Sequence, residues 1–115
     1  MPGPKVYVSI TGLRIKKPWH VFEFYRLAAA SLRQARTAKG NLRSDVKKIG
    51  GVHHTITVWE SEQAMRAFMY VEPHLSAIRA FRRIASGKTF GFEARSVPDW
   101  EEVHRLWHAR GQDYV

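Results

Sequence analysis

Residues 51–60 read Gly-Val-His-His-Thr-Ile-Thr-Val-Trp-Glu, and their alternation constrains the fold more than any other stretch of the chain. In an extended strand successive side chains point to opposite sides. Val52, His54, Ile56 and Val58 therefore share one face, and His53, Thr55, Thr57 and Trp59 share the other. Gly50-Gly51 predicts a tight turn just before, which makes residues 42–49 the first arm of a hairpin. A strand with one apolar and one mixed face belongs to a sheet whose two sides are covered differently.

The remaining elements follow from the same patterns. Lys5 to Thr11 alternates as a first strand, with Gly12 as its exit. Pro18 suits the start of a long helix whose apolar stripe runs through Phe22, Tyr25, Ala29 and Leu32. Ser61 offers a helix cap, Pro73 restarts a second helical piece, and Gly87 ends it. Residues 88–96 form the last strand, and Asp99 with Glu102 matches a capping box opening a final helix with Trp100, Val103 and Trp107 inward. The order is βαββαβ plus a C-terminal helix. It predicts one α+β domain over residues 1–115, a ferredoxin-like sandwich with its helices on one side of an antiparallel sheet.

Parity then assigns two faces. Val6, Val8, Ile10, His54, Ile56, Val58, Phe90, Phe92 and Ala94 are expected beneath the helices. Tyr7, Ser9, Thr11, His53, Thr55, Thr57, Trp59, Glu93 and Arg95 are expected on the opposite side. Water would suit the hydroxyls there but not Tyr7 and Trp59. RNA would stack on exposed aromatics. A second copy of the sheet would close a two-chain barrel around a semi-polar cavity. RNA binding is disfavoured by detail: Lys88, Phe90, Gly91 and Phe92 match an RRM octapeptide, but Thr89, Glu93 and Arg95 break it. Exposing Phe90 and Phe92 would also turn Glu93 and Arg95 toward the helices.

Composition narrows the chemistry. The chain has no cysteine, which removes thiolate nucleophiles, disulfides and Cys-ligated metals. No apolar run reaches the ~18 residues of a membrane span, and no signal peptide is evident, so a cytoplasmic protein is expected. The net charge of +9 is scattered rather than gathered in a tail. His104 and His108 are four apart on a helix, but the glutamate of a zinc HExxH motif is missing, so no metal site is expected. Phosphate-binding loops and nucleophile elbows are absent as well.

The segment VHHTITVWESEQAMRAFMYVEPHLSAIRAFRRIA, residues 52–85, resembles the middle of dimeric α+β barrel proteins, among them the antibiotic-biosynthesis monooxygenases. The likeness rests on a strand ending in Trp-Glu-Ser, a helix starting at once, and His74 after a break. It implies a homodimer joined through its sheets and a pocket for a small planar or aromatic molecule. It also implies oxygenase-type chemistry without a bound cofactor. Haem-degrading relatives combine a first-strand asparagine with a tryptophan and a helical histidine. Trp59 and His74 match the last two, but Ser9 stands on the first strand, which disfavours haem.

On that resemblance, Tyr7, His53 and His74 are the candidate catalytic groups, positioning or deprotonating a substrate. Trp59 would wall the pocket, Arg95 would steady developing negative charge, Glu93 beside it would shuttle protons, and Ser9, Thr55 and Thr57 would bind the substrate. Each has a structural alternative. His74 heads the stripe His74, Ile78, Phe81, Ala85 and could be a packed histidine, kept neutral by the helix start. Trp59 could be interface bulk, and Glu93 with Arg95 an ion pair. His54 is expected to be a core histidine hydrogen-bonded under a helix. The competing class is a non-catalytic module whose basic surface contacts nucleic acid or an acidic partner.

Overall fold

A computed structural model describes residues 5–72 and 74–113, apart from the side chains at 74 and 113. The first strand, β1 (Val6–Ile15), continues past Gly12, where the sequence predicts its end. A 3-10 turn over Pro18–His20 leads into α1 (Val21–Thr37). β2 (Asn41–Ile49) and β3 (Val52–Trp59) form the expected hairpin. Its turn residues Gly50 and Gly51 hold φ of 56° and 80°, a region open to glycine without steric cost.

The Ser61 hydroxyl accepts from the Ala64 amide at 3.1 Å and opens α2 (Glu62–Met69). α3 (His74–Ile84) follows; the expected restart at Pro73 lies outside the described residues. β4 (Ala85–Ala94) begins directly after α3, so Gly87 sits in the strand opposite Leu13 instead of closing a helix. The Asp99 carboxylate accepts from the Glu102 amide at 2.8 Å, the cap expected for α4 (Trp100–Arg110). A two-residue strand that the sequence does not signal, β5 (Gln112–Asp113), ends the described chain.

The strands lie in the order β2-β3-β1-β4-β5, and neighbours are antiparallel. With four α-helices against it, this is the α+β ferredoxin-like arrangement that the element order predicts. The β1–β3 register places Tyr7 opposite Trp59, Ser9 opposite Thr57, Thr11 opposite Thr55, and Leu13 opposite His53. The alternate row pairs Val8 with Val58, Ile10 with Ile56, and Gly12 with His54.

The helices do not cover the face that parity suggested. Among the described helices α4 alone lies on the apolar row, where Val103 and Trp107 pack on Val8, Ile10, Ile56 and Val58. α1, α2 and α3 cover the mixed row instead. At one end Leu13 joins Phe24, Ala77, Phe81 and Ile84; at the other Trp59 joins Ala35, Met65 and Phe68, with Tyr7 beside them. Fully burying side chains of this size stabilises the fold by roughly 1.5–3 kcal/mol each. The helices are thus anchored at both ends of the mixed face, over the hydroxyl-bearing middle. The mixed face is therefore covered by the chain's own helices, and Trp59, at 0% exposure, does not face a second copy.

Candidate functional site

Between the two anchor clusters the helices stand off the sheet and leave a cavity of about 360 Å³. Its floor is a patch of hydroxyls. Ser9 and Thr57 face each other across β1 and β3, Thr11 and Thr55 form the next pair, and Thr89 reaches the same face from β4. Thr11 and Thr89 share a hydrogen bond of 3.3 Å, and the Thr89 hydroxyl also donates to the Ile10 carbonyl at 3.2 Å. The hydroxyls of Ser9, Thr55 and Thr57 make no hydrogen bond among the described residues. They line the cavity with donor and acceptor capacity unused.

The roof is apolar. Phe24, Ala28 and Leu32 of α1, Met65 and Phe68 of α2, and Phe81 of α3 close over the hydroxyls. Spacings of four residues along α1 carry these side chains to its inner side. Ser31 is the polar intruder in this roof: its hydroxyl is buried and has no hydrogen-bond partner among the described residues. Such a box, wet below and apolar above, offers hydrogen-bonding groups on one side and apolar surface on the other.

His53 stands beside Leu13's end of the floor. Its imidazole lies 4.8 Å from the Phe24 ring and 5.5 Å from the Tyr25 ring. Burial, and then the ammonium of Lys48, lower its pKa below the usual histidine value. The ring is therefore neutral near pH 7 and free to accept a proton.

The structure does not bring all the expected site residues together. Ser9, His53, Thr55 and Thr57 line the cavity together. Tyr7 and Trp59 sit past its end wall. The indole packs on Phe68 with rings 5.2 Å apart, and the Tyr7 phenol lies over Gly91, where a Cβ would come within 2.2 Å of its oxygen. Burial, then Glu62, push the Tyr7 pKa up, so it is a weaker acid than a free tyrosine and stays a neutral phenol near pH 7. Glu93 is exposed and 3.9 Å from Lys5, and exposed Arg95 follows the end of β4; neither lines the cavity. The backbone of His74 begins α3, but its side chain, and with it the role expected of His74, lies outside the described residues. Leu13, Phe24 and Lys48 line the cavity although the sequence did not mark them. For Leu13 the signal was present: the β1 alternation continues past Gly12.

On the other side of the sheet His54 is 1% exposed, and its Nε2 lies 2.7 Å from Nδ1 of His104 on α4. The Trp107 ring meets it edge-on at 5.0 Å. Burial, then His104, lower the His54 pKa to about 4. The Thr11 backbone works weakly in the opposite sense, although Nδ1 has no hydrogen bond of normal geometry among the described residues. His54 is thus the core histidine that parity predicts, held under a helix. His104 of α4 is its partner. Among the described residues no group of three or more His, Cys, Asp or Glu is arranged to hold a metal ion.

Comparison with known proteins places the fold. No family model matches the sequence, and no curated protein matches it. Solved structures do. The chain is similar to SnoaB, a cofactor-independent oxygenase from Streptomyces nogalater, with TM-score 0.69 and 17% identity over 83% of this chain and 99% of that one. An antibiotic biosynthesis monooxygenase aligns with TM-score 0.64 and 14% identity over 79% and 99% of the two chains. A conserved protein from Methanosarcina mazei aligns with TM-score 0.65 and 13% identity over 80% and 94%. The chain therefore has the fold of antibiotic-biosynthesis-monooxygenase-like α+β barrel structures, the fold that residues 52–85 suggest. At these identities the likeness shows fold alone.

Proposed function

We propose that the cavity binds a small planar aromatic molecule and that the protein oxidises it with molecular oxygen without a bound cofactor. The observation that supports this best is a hydroxyl floor facing an apolar roof around about 360 Å³. An aromatic ring lies against Phe24 and Phe81, and its ring oxygens meet Thr55 and Thr57. Neutral His53 takes a proton from a ring carbon made acidic by a neighbouring carbonyl. The floor hydroxyls then stabilise the enolate oxygen. Electrons pass from the enolate to oxygen, so that overall a CH₂ group and O₂ become a carbonyl and water. Fold likeness to an oxygenase supports this reaction class by analogy only.

Anthrone is a suitable probe, because its methylene lies beside a carbonyl-conjugated ring system. The expected result is oxygen uptake with formation of anthraquinone, slowed on the order of 10²-fold in His53→Ala. Ala28→Trp, which fills the roof, should abolish binding. Anthrone oxidation no faster than in buffer would overturn the catalytic half of the proposal. Lack of any saturable binding would overturn both halves.

We infer further that a second copy of the chain covers what α4 leaves open of the apolar sheet face. Val6, Phe90, Phe92 and Ala94 are half-buried there. A homodimer joined through this face keeps the two-chain arrangement suggested by the sequence but uses the opposite side of the sheet.

A further inference from the structure

The cavity carries charge of one sign. Of the side chains that line it, Lys47 and Lys48 are the ionised ones, and no acidic residue lines it among those described. Lys48 is opposite His53 in the β2–β3 ladder, so it leaves the sheet on the same side as the imidazole and the hydroxyls. Lys47, one position earlier, alternates to the other side. Lys48 makes no ion pair among the described residues. The carboxylate closest in sequence, Asp45, is held by Arg43.

A cation at the rim of an apolar space is poorly used by a neutral ligand. Its ammonium stays in water, and the ligand gains nothing from it. A ligand with one negative group changes the balance. Its apolar body is desolvated inside while its charge meets an ammonium in a partly screened setting, where charge-assisted hydrogen bonds are about twice as strong as neutral ones. A cationic ligand would instead meet repulsion with no carboxylate to offset it.

We propose that the natural ligand is an aromatic carboxylate, its rings inside the cavity and its carboxylate held at the mouth by Lys48 beside His53. The proposal rests on the cavity being the ligand site. One anionic group fits better than a phosphate, since Lys48 is the lining lysine on the imidazole's side of the sheet and, beside a neutral imidazole, offers one full positive charge. The pair is also coupled: the Lys48 charge is one of the causes that lower the His53 pKa. A bound carboxylate neutralises that influence, so the ligand raises the basicity of the residue beside it. Ligand arrival and proton acceptance at His53 are thereby linked.

Fluorescence titrations with anthracene-2-carboxylate and its neutral amide test this directly in the wild-type protein. The carboxylate should bind roughly tenfold tighter than the amide. Lys48→Met, which keeps the alkyl stem, should remove that preference, while Lys48→Arg should retain it. Lys39→Met, on the surface away from the cavity, should leave it unchanged and so controls for the general basic charge. In NMR titrations the His53 pKa should rise when the carboxylate binds and stay constant with the amide. Equal affinity for the two probes, or a preference that survives Lys48→Met, would overturn anion recognition and leave the aromatic cavity standing. Failure of both probes to compete with anthrone would remove the cavity as a ligand site, and this proposal with it.

Discussion

At the scale of single residues the two adjacent histidines of β3 show how much a position in a strand decides. His53 and His54 share chemistry and differ by one step of alternation, yet one sets its ring against Phe24 and Tyr25 on the cavity side and the other is sealed under α4 against His104. That division was legible in the sequence, because period-two geometry needs no tertiary information. The partner His104 was not, since nothing local tells a helix which strand residue it will cover. The sealed histidine carries a pH prediction. Its pKa is lowered in the folded chain to about 4 from 6.5, so on acidification the unfolded chain takes up the proton first. Stability is complete above about pH 6.5 and falls as pH drops toward 4, by about 3 kcal/mol at most from this one group. Urea titrations at a series of pH values should show that slope, and His54→Leu should flatten it. An unchanged slope in the variant would assign the loss to other groups.

For whole elements, the sequence located strands and helices well and misjudged the side from which the helices approach. Alternation tells which residues share a face; it does not tell which face a helix layer will take. The apolar row of the sheet looked like the one to bury under helices, yet α1, α2 and α3 bring enough apolar surface of their own to cap the mixed row at Leu13 and Trp59. Gly12 shows the same limit of local pattern. Taken as a strand exit, it is in fact a mid-strand position with no side chain, which lets the Trp107 ring of α4 lie against the sheet; a Cβ there would be 2.5 Å from that ring and 2.9 Å from His54. The Trp107 indole then donates to the Lys88 carbonyl at 2.9 Å. Gly12→Ala should force α4 outward and destabilise the fold by roughly 1–3 kcal/mol, read as a lower urea midpoint with reduced tryptophan burial. Wild-type stability in this variant would mean that α4 adjusts its position without cost.

Across the molecule as a whole, the open question of the sequence was what covers each side of the sheet. One side is now accounted for by three helices, and the other carries α4 with Val6, Phe90, Phe92 and Ala94 still half-buried beside it. If a second copy completes that cover, light scattering at micromolar concentration should give twice the chain mass, and Phe92→Lys should give single chains that still fold. Single chains in the wild type would remove the homodimer. The net charge of +9 separates this scheme from binding to nucleic acid, since phosphate-driven association weakens steeply with salt and self-association through apolar residues does not. The arrangement on the helical side has a consequence for how the protein can vary. The helices rest on two piers, Leu13's cluster and Trp59's, and the hydroxyl span between them bears little of the weight. Residues of that span are therefore free to be exchanged for a different cargo shape while the architecture stands, so a set of such chains could diverge in what they hold long before they diverge in how they fold.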